Sequence, residues 1–181
     1  MTVTGPNYSS TVANYGTGTA WTNPTNAQGS SAYGGASYAT CDIHLTTSQY
    51  LLFTNYGFTV PGTDSVTGIF VEVNTGLVGA MGDATVEAQL YLGGSLIGTP
   101  KTYSGWGVFS IGGSSDMWGV SLITSSDANS STFGVAIRAI GIDDGPGIVF
   151  YGARMTLDSM FGDSDAAPGS STSGHFLFPW I

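Results

Sequence analysis

The stretch Val149-Phe-Tyr-Gly-Ala-Arg-Met-Thr-Leu157 alternates between two kinds of position along its whole length. The odd-numbered positions are mainly apolar, whereas the even-numbered positions include Arg154 and Thr156. Because successive side chains of a β-strand point to opposite faces, this spacing predicts a strand with one face in a core and the other outward. We therefore expect the odd-numbered residues, from Val149 to Leu157, on the core face.

The same alternation recurs along the chain. Further strands are predicted at Ile69–Val73, Val86–Leu92 and Phe133–Ala139, and weaker ones at Tyr38–Leu45, Leu51–Val60 and Gly105–Ile111. Turns are predicted at Pro61-Gly62, Gly93-Gly94, Gly112-Gly113 and Asp144–Gly147. One helical turn, begun by a Thr or Ser, is expected within Thr124–Ser130. Many short strands separated by turns are typical of a β-sandwich or barrel.

The longer connections refine this fold prediction. The segment Asn23–Gly35 is too long for a tight hairpin, which favours a crossover between two sheets. We predict an all-β fold, an antiparallel two-sheet β-sandwich of jelly-roll or Ig-like type, in a chain of 181 residues that fits one domain. Residues 1–20 are interpreted as an extended N-terminal arm, 21–158 as the sandwich, 159–174 as a linker and 175–181 as an apolar C-terminal tail.

The charge balance excludes several kinds of partner. Three basic side chains stand against twelve acidic ones, for a net charge of −9. Nucleic-acid binding depends on Lys and Arg at phosphates, and anionic membrane surfaces attract the same residues, so neither partner is expected. The start of the sequence has no signal-peptide pattern, and we expect a protein made in a cytoplasm. Its largely uncharged polar surface suits contact with other proteins, where burying charge is costly.

Few residues are arranged for catalysis. The sequence lacks G-x-S-x-G, H-E-x-x-H, P-loop and C-x-x-C motifs, and His44, in a predicted strand near Asp42, is interpreted as structural. Glu72 and Glu87 occupy outward strand positions, and neither Asp143-Asp144 nor Asp163-x-Asp165 matches a calcium loop. Cys41 is expected to be a buried apolar residue. We therefore predict no enzyme activity, no cofactor and no metal site.

Aromatic residues supply the candidate partner-binding positions. Tyr8 and Tyr15 lie in a first segment rich in Gly, Ser and Asn, the composition of protein-binding loops. The tail adds Phe176, Phe178, Trp180 and Ile181. The tail either folds back as an edge strand on its own sandwich or docks on a neighbouring molecule by strand addition or pocket filling. An exposed apolar tail is an aggregation hazard, so we expect it to be covered.

Two groups of motifs carry a resemblance to a known family. The first group is Trp21-Thr-Asn-Pro-Thr-Asn-Ala27, Tyr38-Ala-Thr, Gly57–Pro61 and Ile69–Val73; the second is Gly113–Gly119, Leu122-Ile-Thr, Asp127-Ala-Asn129 and Phe133-Gly-Val135. From about Ala20 to Leu157 the chain resembles β-sandwich proteins of tailed-bacteriophage virions. The resemblance implies a jelly-roll or Ig-like sandwich that serves in head decoration or as a tail-fibre module.

The motif residues also have a structural interpretation. Trp21 and Trp118 are predicted core anchors, and Pro24 fixes the backbone beside Asn23. Asn23 and Asn26 are expected to form Asx turns, and Asp127, with Asn129 beyond it, to hold a turn. We interpret these residues as determinants of the fold rather than as a ligand site.

Three functions remain as hypotheses. The first is a capsid decoration (cement) protein in the virion that binds the major capsid protein or other virion proteins as a homo-oligomer, a trimer or a dimer. The compact chain, without a coiled-coil stalk or a long anchoring domain, favours a self-contained subunit of this kind over a fibre. The second is a tail-fibre or receptor-binding tip that recognises a host glycan or protein. A secreted carbohydrate-active enzyme is disfavoured by the absence of a signal peptide and of a catalytic set.

Overall fold

The computed structural model describes residues 1–43, 45–77, 84–141 and 147–161, with the backbone alone at 84 and 161. Ten strands are present among these described residues: β1 Thr2–Tyr8, β2 Thr11–Tyr15, β3 Ala39–Cys41, β4 Tyr50–Thr54, β5 Asp64–Leu77, β6 Ala84–Leu92, β7 Ser95–Ser104, β8 Gly107–Gly113, β9 Gly134–Gly141 and β10 Ile148–Phe161. Two short helices, α1 Gly29–Tyr33 and α2 Ser125–Ala128, and a 3₁₀ turn at Pro24–Ala27 complete the described elements.

The strands form two sheets that pack against each other. In sheet A the order is β1-β10-β5-β8, and the short β3 shares with β1 the same partner, β10. In sheet B the order is β2-β4-β9-β6-β7. All pairings between these strands are antiparallel. The predicted antiparallel two-sheet β-sandwich is therefore confirmed.

Most connections pass from one sheet to the other. Only β6 and β7, joined at Gly93-Gly94, are consecutive described strands of the same sheet. The segment Asn23–Gly35, which contains the 3₁₀ turn and α1, leads from β2 in sheet B to β3 in sheet A, as its length indicated. The connection from β7 to β8 likewise joins an edge strand of sheet B to an edge strand of sheet A.

The boundaries of the sandwich differ from the prediction. Residues 1–20 are not a separate arm, because β1 pairs with β10 and β2 pairs with β4 as edge strands of the two sheets. The linker does not begin at residue 159: Ser159 is fully buried, pairs with Thr2 and Val66, and β10 continues to Phe161.

Two local predictions also change. In β10 a register shift between Phe150 and Gly152 reverses the alternation, so that Phe150 joins the core while Tyr151 contacts the exposed Tyr38. Gly112 and Gly113 end β8 rather than forming a turn, and Gly112 has a φ of +86°. A Cβ at Gly112 would lie 2.7 Å from the indole nitrogen of Trp118, so only glycine leaves room for that ring.

Candidate protein-contact surfaces

The first motif, around Trp21, is held in place by residues that lie outside the motif. Trp21 is buried, and its indole N–H donates to the Gln49 carbonyl at 2.7 Å. The side-chain amide of Asn14 pairs with both main-chain groups of Trp21 at 3.0 Å each, as a strand neighbour would. Asn23, which lies within the motif, does not form the expected Asx turn. It adopts the left-handed conformation, with φ 53°, directly before Pro24, and its side chain makes no hydrogen bond at the cap.

The second of the expected asparagines in this motif also acts through its main chain. The N–H of Asn26 donates to the Asn23 carbonyl at 2.9 Å, and its own carbonyl accepts from the Ser37 hydroxyl at 2.8 Å. The expected Asx turns thus give way to main-chain bonds in the 3₁₀ turn, where the fixed φ of Pro24 suits the first helical position.

The second motif acts through its side chains, as expected. Trp118 is fully buried and donates its indole N–H to the Ile69 carbonyl at 3.0 Å. Asp127 and Thr124 form a capping box at the start of α2, in which each side chain accepts from the other's main-chain N–H. The Asn129 amide pairs with both main-chain groups of Val60, at 2.7 and 2.8 Å. These residues fix loops against the core.

The two tyrosines proposed for partner binding pack within the chain. Tyr8 is half-buried, its ring contacts Tyr33 at 5.6 Å, and its hydroxyl accepts from Arg154 at 3.4 Å. Tyr15 is half-buried against Tyr91 and donates its hydroxyl to the Gly94 carbonyl at 3.2 Å. Neither residue belongs to a separate arm. Their partner-binding role is still a prediction.

The outer faces of both sheets carry the same group of side chains. On sheet A, Arg154 donates two hydrogen bonds to Glu72 and its guanidinium lies 5.0 Å from the ring centre of Tyr33. The bonds to Glu72 raise the pKa of Arg154, and burial raises the pKa of Tyr33.

On sheet B the matching group consists of Arg138, Glu87 and Tyr50. Arg138 donates to Glu87 at 2.7 Å and lies 4.8 Å from the ring centre of Tyr50. Burial, together with the hydrogen bond that its hydroxyl donates to Glu87, raises the pKa of Tyr50 to about 12. The two outward glutamates are therefore partners of arginines.

Lys101 completes the pattern of neutralised cations. Its ammonium lies 2.8 Å from Asp116 and 5.6 Å from the ring centre of Trp118, and its hydrogen bond lowers the pKa of Asp116. All three basic side chains of the sequence are thus paired with a carboxylate and placed over an aromatic ring. Each lysine and arginine of the chain thus has a carboxylate partner within the described residues.

The remaining candidate groups offer little chemistry among the described residues. Cys41 is buried, as predicted, and burial raises the pKa of its thiol to about 11. Within the described ranges, no three His, Cys, Asp or Glu side chains are grouped to hold a metal ion, and no helix there has the length and hydropathy to cross a membrane. Several predicted positions lie outside the described residues: His44, Asp143, Asp144, Asp163, Asp165, His175, Phe176, Phe178, Trp180 and Ile181.

A first exposed apolar surface lies around the β7–β8 connection. We call Tyr103, Trp106 and Val108 the hairpin patch, a label for the β7–β8 connection only, since β7 and β8 lie in different sheets and do not pair. The three side chains are between 37% and 62% exposed. Tyr103 pairs with the buried Val86 and stacks on Phe109 of sheet A, with ring centres 3.9 Å apart and planes at 6°. The stack closes the edge of the core between the two sheets. Sequence reasoning missed this patch, although Trp106 between Gly105 and Gly107 was a visible signal.

A second exposed surface lies at the other end of β5, where β10 ends. We call Met1, Val3, Leu122 and Met160 the exit patch; they are between 51% and 74% exposed. The register places Val3 opposite Asp158, and Met160, two residues farther along β10, opposite Ser65. Ser65 in turn bridges Thr124, two residues after Leu122. By strand alternation, Val3 and Met160 share the outer face of sheet A, and the exposed Leu122 lies two residues before the bridged Thr124.

Searches among protein-family models, curated proteins and solved structures found no match to this chain. The resemblance to phage virion proteins is therefore still a prediction from the motifs quoted above.

Proposed function

We propose that this chain is a bacteriophage capsid decoration (cement) protein that works by binding and performs no catalysis. It would be made in the host cytoplasm, join the virion, and stabilise the shell by binding the outer head surface. The proposal draws its setting from the motif resemblance and its mechanism from the surface of the sandwich. The observation that carries the mechanism is the exposure of the apolar side chains of the hairpin patch.

The hairpin patch has the composition of a protein-contact site. Trp and Tyr supply much of the binding energy at protein interfaces, because they bury a large rigid area. Tyr103 is already held in place by its stack on Phe109, so little side-chain freedom is lost on binding. Burying a large apolar side chain contributes about 1.5–3 kcal/mol, and a lattice repeats that gain at every copy.

The charges of the surface fit the same kind of partner. The three cations are neutralised within the chain, so the exposed charge is acidic and the rest of the polar surface is supplied by neutral side chains. Such a surface is suited to a protein partner, for which we propose the major capsid protein or another virion protein. A symmetric shell favours binding as a homo-oligomer, a dimer or a trimer.

The proposal is tested on particles. Quantitative mass spectrometry of purified virions should give a copy number comparable to that of the major shell protein. A small copy number that matches tail symmetry would contradict head decoration, and absence from the particle would contradict any virion role.

Variants then test the patch itself. The double variant Trp106→Ser with Val108→Ser should weaken binding to undecorated heads at least about tenfold, since each tenfold step corresponds to about 1.4 kcal/mol. Leu45→Ser, which removes a similarly exposed apolar side chain outside the patch, is the matched control and should bind as the unchanged protein does. Equal binding by all three proteins would remove the hairpin patch from the interface.

A tail-fibre or receptor-binding tip is the second candidate. The supporting observation is Trp106, which is 48% exposed and stands between two glycines, so that its ring is available for stacking on a neutral sugar. Hydroxyl groups of the exposed Thr102 and Ser104 lie on the preceding edge strand, β7. Binding on a glycan array, lost in Trp106→Ser, would favour this function over head decoration.

A further inference from the structure

The exit patch lies where the described chain stops. Phe161, the last residue of β10, pairs with Asp64, and the neighbouring pair Met160–Ser65 belongs to the same end of sheet A. The sequence continues through residues 162–174 to an apolar segment, His175-Phe-Leu-Phe-Pro-Trp-Ile181. The exposed apolar surface therefore lies at the end of the sheet from which the chain runs on toward this apolar segment.

We propose that residues 175–181 bind the exit patch of their own chain and cover the outer face of sheet A there. This inference goes beyond the proposed function and does not depend on it, because it concerns the free protein. The contact is between apolar surfaces: the aromatic rings of the segment against the side chains of Val3, Leu122 and Met160.

The length of the connection favours the exit patch over the hairpin patch. Residues 162–174 are rich in Gly, Ser and Asp, and a random coil of that length has an end-to-end distance of roughly 20 Å. The hairpin patch lies beyond the far end of β5, where Thr75 pairs with Gly107. At about 3.3 Å per residue, the distance from Asp64 to Thr75 is roughly 36 Å. A connection of this kind gives the nearer site a high effective concentration of the segment.

The charges at this end of the sheet are compatible with the segment. Asp64 and Asp158 are the acidic side chains of β5 and β10 near the patch, and both are buried. Residues 175–181 carry no acidic side chain. The apolar segment would therefore cover this surface without placing a further carboxylate side chain beside these two.

The proposal is tested by methyl NMR on the full chain. The methyl resonances of Met160, Val3 and Leu122 are compared between the unchanged protein and the variant Phe176→Ser, Phe178→Ser, Trp180→Ser. Ring currents from the bound aromatic rings should shift these methyls in the unchanged protein and not in the variant. Met117 and Met155, packed with the core, serve as internal controls for an intact fold. Identical patch resonances in both proteins would overturn the proposal.

A reciprocal variant and dilution separate the other outcomes. With 5-fluorotryptophan incorporated, Met160→Asp should move the ¹⁹F resonance of Trp180 to the position of a solvent-exposed ring. Val108→Asp, a matched change in the hairpin patch, should leave it unchanged, and the opposite pattern would contradict the assignment. If the methyl shifts disappear on dilution together with a dimer in sedimentation, the segment binds a second copy and the proposal of binding within one chain is wrong.

Discussion

Trp21 and Trp118 are both buried and both donate an indole N–H to a main-chain carbonyl, but their surroundings are held in different ways. In the second motif, Asn129 lies within the motif and pairs with the main chain of Val60. In the first, the equivalent pairing with Trp21 comes from Asn14 of β2, outside the motif.

The comparison separates two uses of asparagine. Asn14 and Asn129 act through their side-chain amides, which satisfy main-chain groups that have no strand neighbour. Asn23 acts through its backbone, because asparagine tolerates the left-handed conformation better than most residues. Residue type alone therefore does not tell which use applies, and substitutions at these positions distinguish the two.

Loss of a buried indole should give the largest effect. Trp118→Ala is expected to lower the free energy of unfolding by about 3–5 kcal/mol, because a large cavity forms and the Ile69 carbonyl loses its donor. Trp106→Ala, at an exposed position, is the control and should cost less than about 1 kcal/mol. Urea denaturation measures both values, and similar losses for the two variants would contradict the buried position of Trp118.

Loss of a side-chain amide that pairs with main-chain groups should give the second-largest effect on the free energy of unfolding. Asn14→Ala and Asn129→Ala are each expected to cost about 1–3 kcal/mol, since each leaves a main-chain N–H and a carbonyl without their partner. Asn26→Ala should stay within about 0.5 kcal/mol, because its bonds are made by the main chain. A cost at Asn26 equal to that at Asn129, measured in the same urea series, would remove the difference between the motifs.

The backbone role of Asn23 should give the smallest effect. At a φ of 53°, glycine meets no Cβ penalty, so Asn23→Gly is expected to be about 1 kcal/mol more stable than Asn23→Ala. Thermal and urea unfolding of the two variants checks the order. If the alanine variant were the more stable, a left-handed conformation at Asn23 would be excluded.

Alternation predicted the central strands and missed the edge strands β1, β2 and β7, whereas the edge strand β8 was predicted as a weaker strand at Gly105–Ile111. The four strongest patterns correspond to β5, β6, β9 and β10, which bury one face against the opposite sheet. By contrast, β1 and β7 are largely exposed along their length. An edge strand needs few buried side chains, so its sequence keeps little period-2 signal. The single helical turn was predictable because Thr124 and Asp127 cap it locally.

The contact surfaces could not be predicted from local sequence patterns, because they depend on strand order and on the register between strands. Val108 lies on the edge strand β8, and Trp106 lies in the connection from the edge strand β7 to β8; the edge position of both strands is a property of strand order. The pairs Glu72–Arg154 and Glu87–Arg138 depend on the register between strands distant in sequence. Charge counting predicted an acidic protein with few cations, but not that each cation would be neutralised within the fold.

The positions of those cations also determine how the protein meets a protease. Trypsin cleaves after lysine and arginine, and Lys101, Arg138 and Arg154 lie in the hydrogen-bonded strands β7, β9 and β10. A protease needs an extended, detached segment, so none of these peptide bonds is a substrate until its strand leaves the sheet. Digestion by trypsin therefore follows the detachment of one of these strands, of which β7 lies at a sheet edge and β9 and β10 lie inside the sheets.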